Sequence, residues 1–406
     1  PAAAVPVSAS AASSASAKPA AGSSVASAPA SAKPVGSSAA SGSAKPAASA
    51  SASAGAASGS PAANADFQAQ WDKLVAAAKT EGKVVVATSP DDSFRTQVLG
   101  AFEKKYGIQA QNLSAPGNTL INKFIQEKSA GVHSADVSLS SDPATEIAYP
   151  AGIYTAIKPA IIIPDASDPS KWINHKGPQY MDPPQTTLLQ VAEAVGYTFA
   201  VNPDKVDPTQ FKTPQDLLDP KWKGQIGAYD ATIAGIGQPM GARILKTMGE
   251  DYFKKLYVGQ APHFAQDDRT MGDWVGRGTY PIGIGLAADE AQRIHQDGLK
   301  SVVLKMDYPM AAGIANAQYV MSLMDQAPHP NAAKLFVNWM LTQEAMQTLV
   351  NADGTATTRT DMDYSKIDPD VVPQPNHNYF NEADWTYLTT EQRPLFDREK
   401  VLIQGG

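Results

Sequence analysis

The chain has no cysteine among its 406 residues. That excludes a disulfide framework, thiolate metal sites and a cysteine nucleophile. It leaves the compartment open, since exported and cytosolic chains alike can do without thiols. No apolar run reaches the roughly 18 residues a membrane-spanning helix needs. Positive charge is not in surplus either: 33 Lys and Arg stand against 40 Asp and Glu, a formal −7. An acidic chain lacks the basic stripe that a nucleic-acid partner requires. Chemistry motifs are missing as well. There is no GxSxG elbow, no HExxH, no GxxxxGKS/T loop and no GxGxxG opening a helix after a strand. GIGL (283–286) is a strand pattern too short to count, and the Asp267/Asp268 pair reads as surface. The six histidines are scattered singly, without ligand spacing, so neither a metal nor a cofactor is expected.

What is present divides sharply. Residues 1–65 are almost entirely Ala, Ser, Pro and Gly, and their only charges are Lys18, Lys33 and Lys45, each inside a recurring SAKP phrase. Side chains this small bury too little apolar area to offset backbone ordering, and the Pro and Gly interrupt any helix. The expectation is a disordered Ala/Ser/Pro-rich tether, with a root-mean-square reach of roughly 40–50 Å. A bland terminus is the competing reading, and the repeated phrase favours the tether. A start at Pro rather than Met fits signal-peptide processing, and a lipid-bearing cysteine just ahead of residue 1 would anchor such a leash.

Residues 66–406 are globular in composition and, with the leader's +3 removed, carry −10. That length is too great for one compact core, so two lobes are expected. DFQAQWDKLVAAAKTEG (66–82) reads as a helix, KVVVATS (83–89) as a buried parallel strand, and 90–107 as a helix stopped by Gly107. Helix 118–131 and strand 135–141 follow. A second set has strands at 195–201, 225–230, 281–287, 301–306 and 311–323, with helices at 241–257, 271–278 and 331–350. Strand–helix alternation of this kind specifies an α/β layered fold.

Four phrases then point to a family. FKTPQDLLDPKWKGQIGAYD (211–230), APHPNAAKLFVNWMLTQEAMQTL (327–349), AFEKKYGI (101–108) and MGDWVGRGTYPIGIGL (271–286) resemble the extracellular solute-binding proteins of ABC importers. The resemblance is to the branch that contains ferric-iron and thiamine binders. It implies a two-lobed, type II periplasmic-binding-protein fold with hinge strands. The first lobe is expected at 66–194 and 308–350, the second at 195–307, and a C-terminal segment, 351–406, packs back on both. The implied function is capture of a small polar solute and delivery to a membrane permease. The implied protein is a monomer outside the cytoplasm, surface-tethered or periplasmic, touching the membrane only through its N-terminal lipid.

Ligands of open α/β sheets lie beyond the carboxyl ends of strands, where helix N-termini point inward. That rule selects Ser89 and Asp92 after the first strand, Asn118 in SAPGN, and Ser140 and Ser141 after ADVSL. Helix capping by Asp91 or Asp92 competes with binding at the first loop. In YDATIAGIG (229–237) it selects Tyr229, Asp230 and Thr232, with glycines freeing backbone N–H groups. Iron-binding relatives carry adjacent tyrosines after the strand resembling PIGIGLA; here Glu290 and Ala291 stand in that place. Asp289 and Glu290 are ligand candidates there, a solvated helix start being the alternative. Tyr308 and Tyr197, near the expected crossings, stack on a flat ligand or pack the hinge. No Arg stands in these loops, so a cation, an amine-bearing heterocycle or a polyol is favoured over a bare anion, while the backbone N–H groups at 229–237 keep oxyanions open. A ferric or metal-chelate receptor is the alternative within the fold. A sensing module or an enzyme is the alternative outside it.

Overall fold

The computed structural model describes residues 61–89, 91–141, 147–233, 235–315 and 319–405, the side chains of 61–63 and 289 excepted. The expected tether therefore lies outside the described residues up to position 60. Its last five positions do not follow that expectation, because helix α1 (Pro61–Glu81) already begins there. Proline is favoured at a first helical position, where its missing N–H has no partner to lose.

Strand β1 (Lys83–Thr88) follows, then a π-helical turn (Phe94–Leu99), α2 (Gly100–Tyr106), β2 (Gln109–Ser114), α3 (Gly117–Ser129) and β3 (Val137–Ser140). Short strands β4 (Tyr154–Thr155), β5 (Gln179–Tyr180) and β6 (Leu189–Gln190) lead to β7 (Ala194–Val201) and β8 (Ile226–Tyr229). Next come α4 (Gly237–Lys254), β9 (His263–Ala265), α5 (Asp268–Arg277), β10 (Ile282–Leu286) and α6 (Ala288–Gln296). The chain continues through β11 (Val302–Val303), β12 (Ala312–Ala315), β13 (Val320–Met324), α7 (Pro330–Met340) and α8 (Gln343–Asp353). Strand β14 (Phe380–Asn381) and α9 (Gln392–Gln404) close it.

These strands form two seven-stranded sheets. One runs β2-β1-β3-β13-β6-β5 with β4 on β13; the other runs β14-β12-β7-β10-β8-β9 with β11 on β7. The expected α/β, two-lobed architecture is thus the observed one. The chain leaves the first sheet after β6 and returns at β13. The return was expected at 308, yet β12 still pairs antiparallel with β7 of the second sheet. The single strand expected over 311–323 is therefore two strands in two sheets. Helix 331–350 likewise divides, because the Thr342 hydroxyl accepts from Ala345 N–H and caps a new helix. The expected C-terminal segment touches both lobes: Arg359 is buried on Trp172 of the first, and β14 joins the second sheet.

The first core gathers Phe102, Phe336 and Trp339, whose rings meet edge-on at 5.2 and 5.4 Å. The second gathers Phe199, Ile282, Ile284, Phe253 and Leu256. Asp136, fully buried, ties the first lobe together. It accepts from Val85 N–H (2.7 Å), His329 N–H (2.7 Å) and His329 Nδ1 (2.8 Å), so His329 serves the start of α7.

Candidate functional site

In the first sheet β2, β1 and β3 are adjacent and parallel, with Thr88 opposite Ser114 and Ala87 opposite Ser138. Their carboxyl ends therefore open on one edge. Ser89 is half-buried there and follows β1 directly. Ser140 is buried at the end of β3, and Ser141 is half-buried just beyond it. Asn118 is exposed in the first turn of α3. Asp92 points away: its side chain is 94% exposed and pairs with Arg95 at 3.0 Å. Its neighbour Asp91 turns inward instead. One oxygen caps Phe94 N–H, and the other accepts from the Tyr319 hydroxyl at 3.2 Å. Burial, with Asp353 and Asp91 alongside, pushes the Tyr319 phenol far above its ordinary range.

In the second sheet β8 and β10 are adjacent and parallel, so their carboxyl ends also open together. Tyr229 ends β8. It is buried, its hydroxyl donates to Asp268, and its ring stands edge-on to Tyr197 at 6.0 Å. Burial and then Asp268 push its phenol strongly up. Asp230 accepts from both Thr232 N–H (2.8 Å) and the Thr232 hydroxyl (2.6 Å). This Asx turn brings α4 against β8. At Gly237 a Cβ would lie 2.3 Å from the Asp230 carbonyl oxygen, so only glycine permits the approach.

Glu290 is buried in α6, and Arg293 Nε donates to both its oxygens at 2.9 Å. Arg293 also reaches Asp273 of α5 at 2.8 Å. The Glu290 carboxylate sits so close to α5 that a Cβ on Gly272 would be 1.9 Å from it. The structure thus gives Glu290 to helix packing. Asp289 lies in the first turn of the same helix. Tyr308 is 37% exposed in the turn that precedes β12, its N–H bound to Met306 O.

The structure therefore groups Ser89, Ser140, Ser141 and Asn118 at one sheet edge, and Tyr229, Asp230, Thr232 and the start of α6 at the other. Asp91, expected only as a helix cap, and Tyr319, which local reasoning passed over, join the first loop to the crossing. Asp92 and Tyr308 stand outside these contacts. No group of three or more His, Asp or Glu side chains able to hold a metal occurs among the described residues. The loops 89–93, 114–118, 229–237 and 286–290 contain no Lys or Arg. No helix among the described residues is long and apolar enough to cross a membrane.

Residues 175–353 match the family model described as bacterial extracellular solute-binding protein. No curated protein matches the chain. Among solved structures, iron-bound HitA from Pseudomonas aeruginosa is 18% identical with a TM-score of 0.58, covering 79% of this chain and 99% of its own. The periplasmic binding protein AfuA from Actinobacillus pleuropneumoniae, with fructose-6-phosphate bound, is 22% identical with a TM-score of 0.54, covering 80% and 99%. The Atu4243–GABA receptor is 16% identical with a TM-score of 0.57, covering 79% and 97%. At these identities the structural likeness establishes the fold alone. The two-sheet fold is that of the two-lobed periplasmic binding proteins, and within it residues 175–353 match the bacterial extracellular solute-binding model.

Proposed function

We propose that the chain is the extracytoplasmic receptor of an ABC importer, capturing a small, polar, non-anionic solute between its lobes and delivering it unaltered to a membrane permease. One observation carries the solute class. The partnered carboxylates at the two sheet edges are taken by the protein itself: Asp91 by Tyr319, Asp230 by Thr232, Asp268 by Tyr229 and Glu290 by Arg293. The loops offer no Lys or Arg to clamp a phosphate or carboxylate. What they offer is hydroxyls, at Ser89, Ser140 and Ser141, the Asn118 amide, and backbone N–H groups. That set suits a neutral polyhydroxyl compound, which exchanges hydrogen bonds with water for hydrogen bonds with protein.

One fold serves unlike cargo, since the similar structures include an iron-bound protein, one with fructose-6-phosphate bound and a GABA receptor. A ferric site of the kind expected from the resemblance is disfavoured here. Glu290 and Ala291 occupy the place of the tyrosine pair, Glu290 is held by Arg293, and the Tyr229 phenol is kept protonated by burial. Closure of the lobes about the two crossings would desolvate the solute and present one shape to the permease. A leader of about sixty small residues would hold the body near that permease and raise its effective concentration there. The reading includes a monomer, a lipid at the leader's end and no chemical turnover.

A thermal-shift panel of sugars, polyols, phosphorylated sugars and ferric citrate tests the solute class. A ligand at 100 times its Kd stabilises the native state by about 2.7 kcal/mol. A neutral sugar or polyol is expected to raise the melting temperature by several degrees, and its phosphorylated form is not. A shift confined to phosphorylated compounds or ferric citrate would remove the class.

A further inference from the structure

Residues 380–404 enter both lobes. Strand β14 pairs with β12 in the second sheet, Gly313 opposite Phe380, and Glu382 N–H donates to Ile314 O at 2.9 Å. The next residues cross to the first lobe. Ala383, Tyr387 and Leu388 are buried in a cluster with Val85 and Ala87 of β1, Leu120 and Phe124 of α3, and Val320 of β13. Trp385 stands edge-on to Tyr149 of that lobe, with ring centroids 5.4 Å apart. The chain then returns. Helix α9 lies on α4, Leu402 is buried in the second core, and ion pairs Lys246–Glu391 and Arg398–Glu250 hold its flank. Leu395 touches both clusters.

The geometry points to a strap: we infer that residues 383–388 latch the two lobes together, and that their release from the first lobe sets the balance between closed and open forms. The inference rests on the hinged-receptor reading above. Its physical basis is that β14 and α9 move with the second sheet while Ala383, Trp385, Tyr387 and Leu388 are seated in the first. Any rotation of one lobe against the other therefore unseats those four side chains or tears β14 from β12. The side-chain seat is the weaker joint. It is made of a few non-directional apolar contacts, whereas β14 and α9 carry ladder hydrogen bonds, ion pairs and a helix interface. A solute that favours the closed form would then be working with the strap, and the free receptor would be biased towards closure.

The chain's lack of cysteine makes the test direct. Fluorophores are placed on K104C in α2 and K223C after the second lobe's 220–222 turn, both exposed, in the full chain without solute. The expected wild-type result is one dominant interlobe distance. In W385A/L388A a second distance appears, its population up at least about tenfold. Y149A, which attacks the same contact from the first lobe, moves the distribution in the same direction and covers the case where the double variant fails to fold. Hydrogen exchange at 380–382 and 392–404 stays slow in both, locating the change in the seat. If the wild type already samples both distances and neither variant alters their ratio, the strap is refuted and the hinge stands. If one distance persists in all three proteins, the lobes do not rotate and both ideas fall together.

Discussion

Replacing Glu399 with glutamine flattens the pH dependence of stability and raises the melting temperature at pH 9 by roughly 5–10 °C. Glu399 lies in α9 with no exposed surface, and neither carboxylate oxygen has a hydrogen-bond partner. It faces α4 so closely that a Cβ on Gly241 would be 2.7 Å from its Oε2. Tyr257, whose hydroxyl is also buried without a partner, and Arg243 share this pocket of polarity. Burial pushes the Glu399 carboxyl up to about 9, with Lys400 acting weakly the other way. The folded state therefore keeps its proton over a range in which the unfolded chain, near the ordinary glutamate value, has lost it. Where the native state binds the extra proton, stability falls as pH rises. The loss begins near the ordinary value, runs up to about 9, and is complete beyond it. At 1.36 kcal/mol per unit it is on the order of 6 kcal/mol. Glutamine keeps the shape and removes the ionisation. Thermal unfolding of both proteins between pH 5 and 10 is the check, and parallel profiles would contradict the assignment.

The second large effect concerns Arg243, whose side chain is 1% exposed and bonds Glu382 at 2.7 Å and the Tyr197 carbonyl at 2.6 Å. It joins α4, the residue that follows β14, and β7 at one point. Arg243→Met leaves Glu382 without its cation in a setting that already pushes that carboxyl up through burial. Removing one partner of a buried pair costs about 3–5 kcal/mol, while replacing both with apolar groups of similar volume is often close to neutral. The double variant Arg243→Met, Glu382→Met is therefore expected to recover at least half of the loss, measured by denaturant midpoints at constant slope. Strict additivity of the two single changes would show that the groups do not act as a pair.

These contacts mark the limit of what local pattern conveys. The β-branched run of β1 and the glycine stop at 107 were legible, because short-range propensity decides them. Strand β2 was not: Gln109–Ser114 is polar, and as an edge strand it buries only Ala110 fully. The joined reading of 311–323 failed because one apolar composition serves both β12 and β13, and nothing local says the sheet changes between them. Helix 331–350 hid its break because α7 is buried almost all round, which erases the amphipathic period that Thr342 interrupts. At the site, the fate of several carboxylates and phenols depended on distant partners. Tyr229 meets Asp268 39 residues on, Asp91 meets Tyr319 228 residues on, and Arg243 meets Glu382 139 residues on. Glu290 and Asp92 each carried a local warning, an arginine three positions later, and Asp230 had Thr232 two residues on.

Native mass spectrometry of the full chain, with the neutral solute that stabilises it most, tests the central claim most directly. One solute of unchanged mass on each single chain, released intact on unfolding, is the predicted spectrum. A bound species of altered mass, or a stabilising solute that forms no stoichiometric complex, would contradict capture without chemistry.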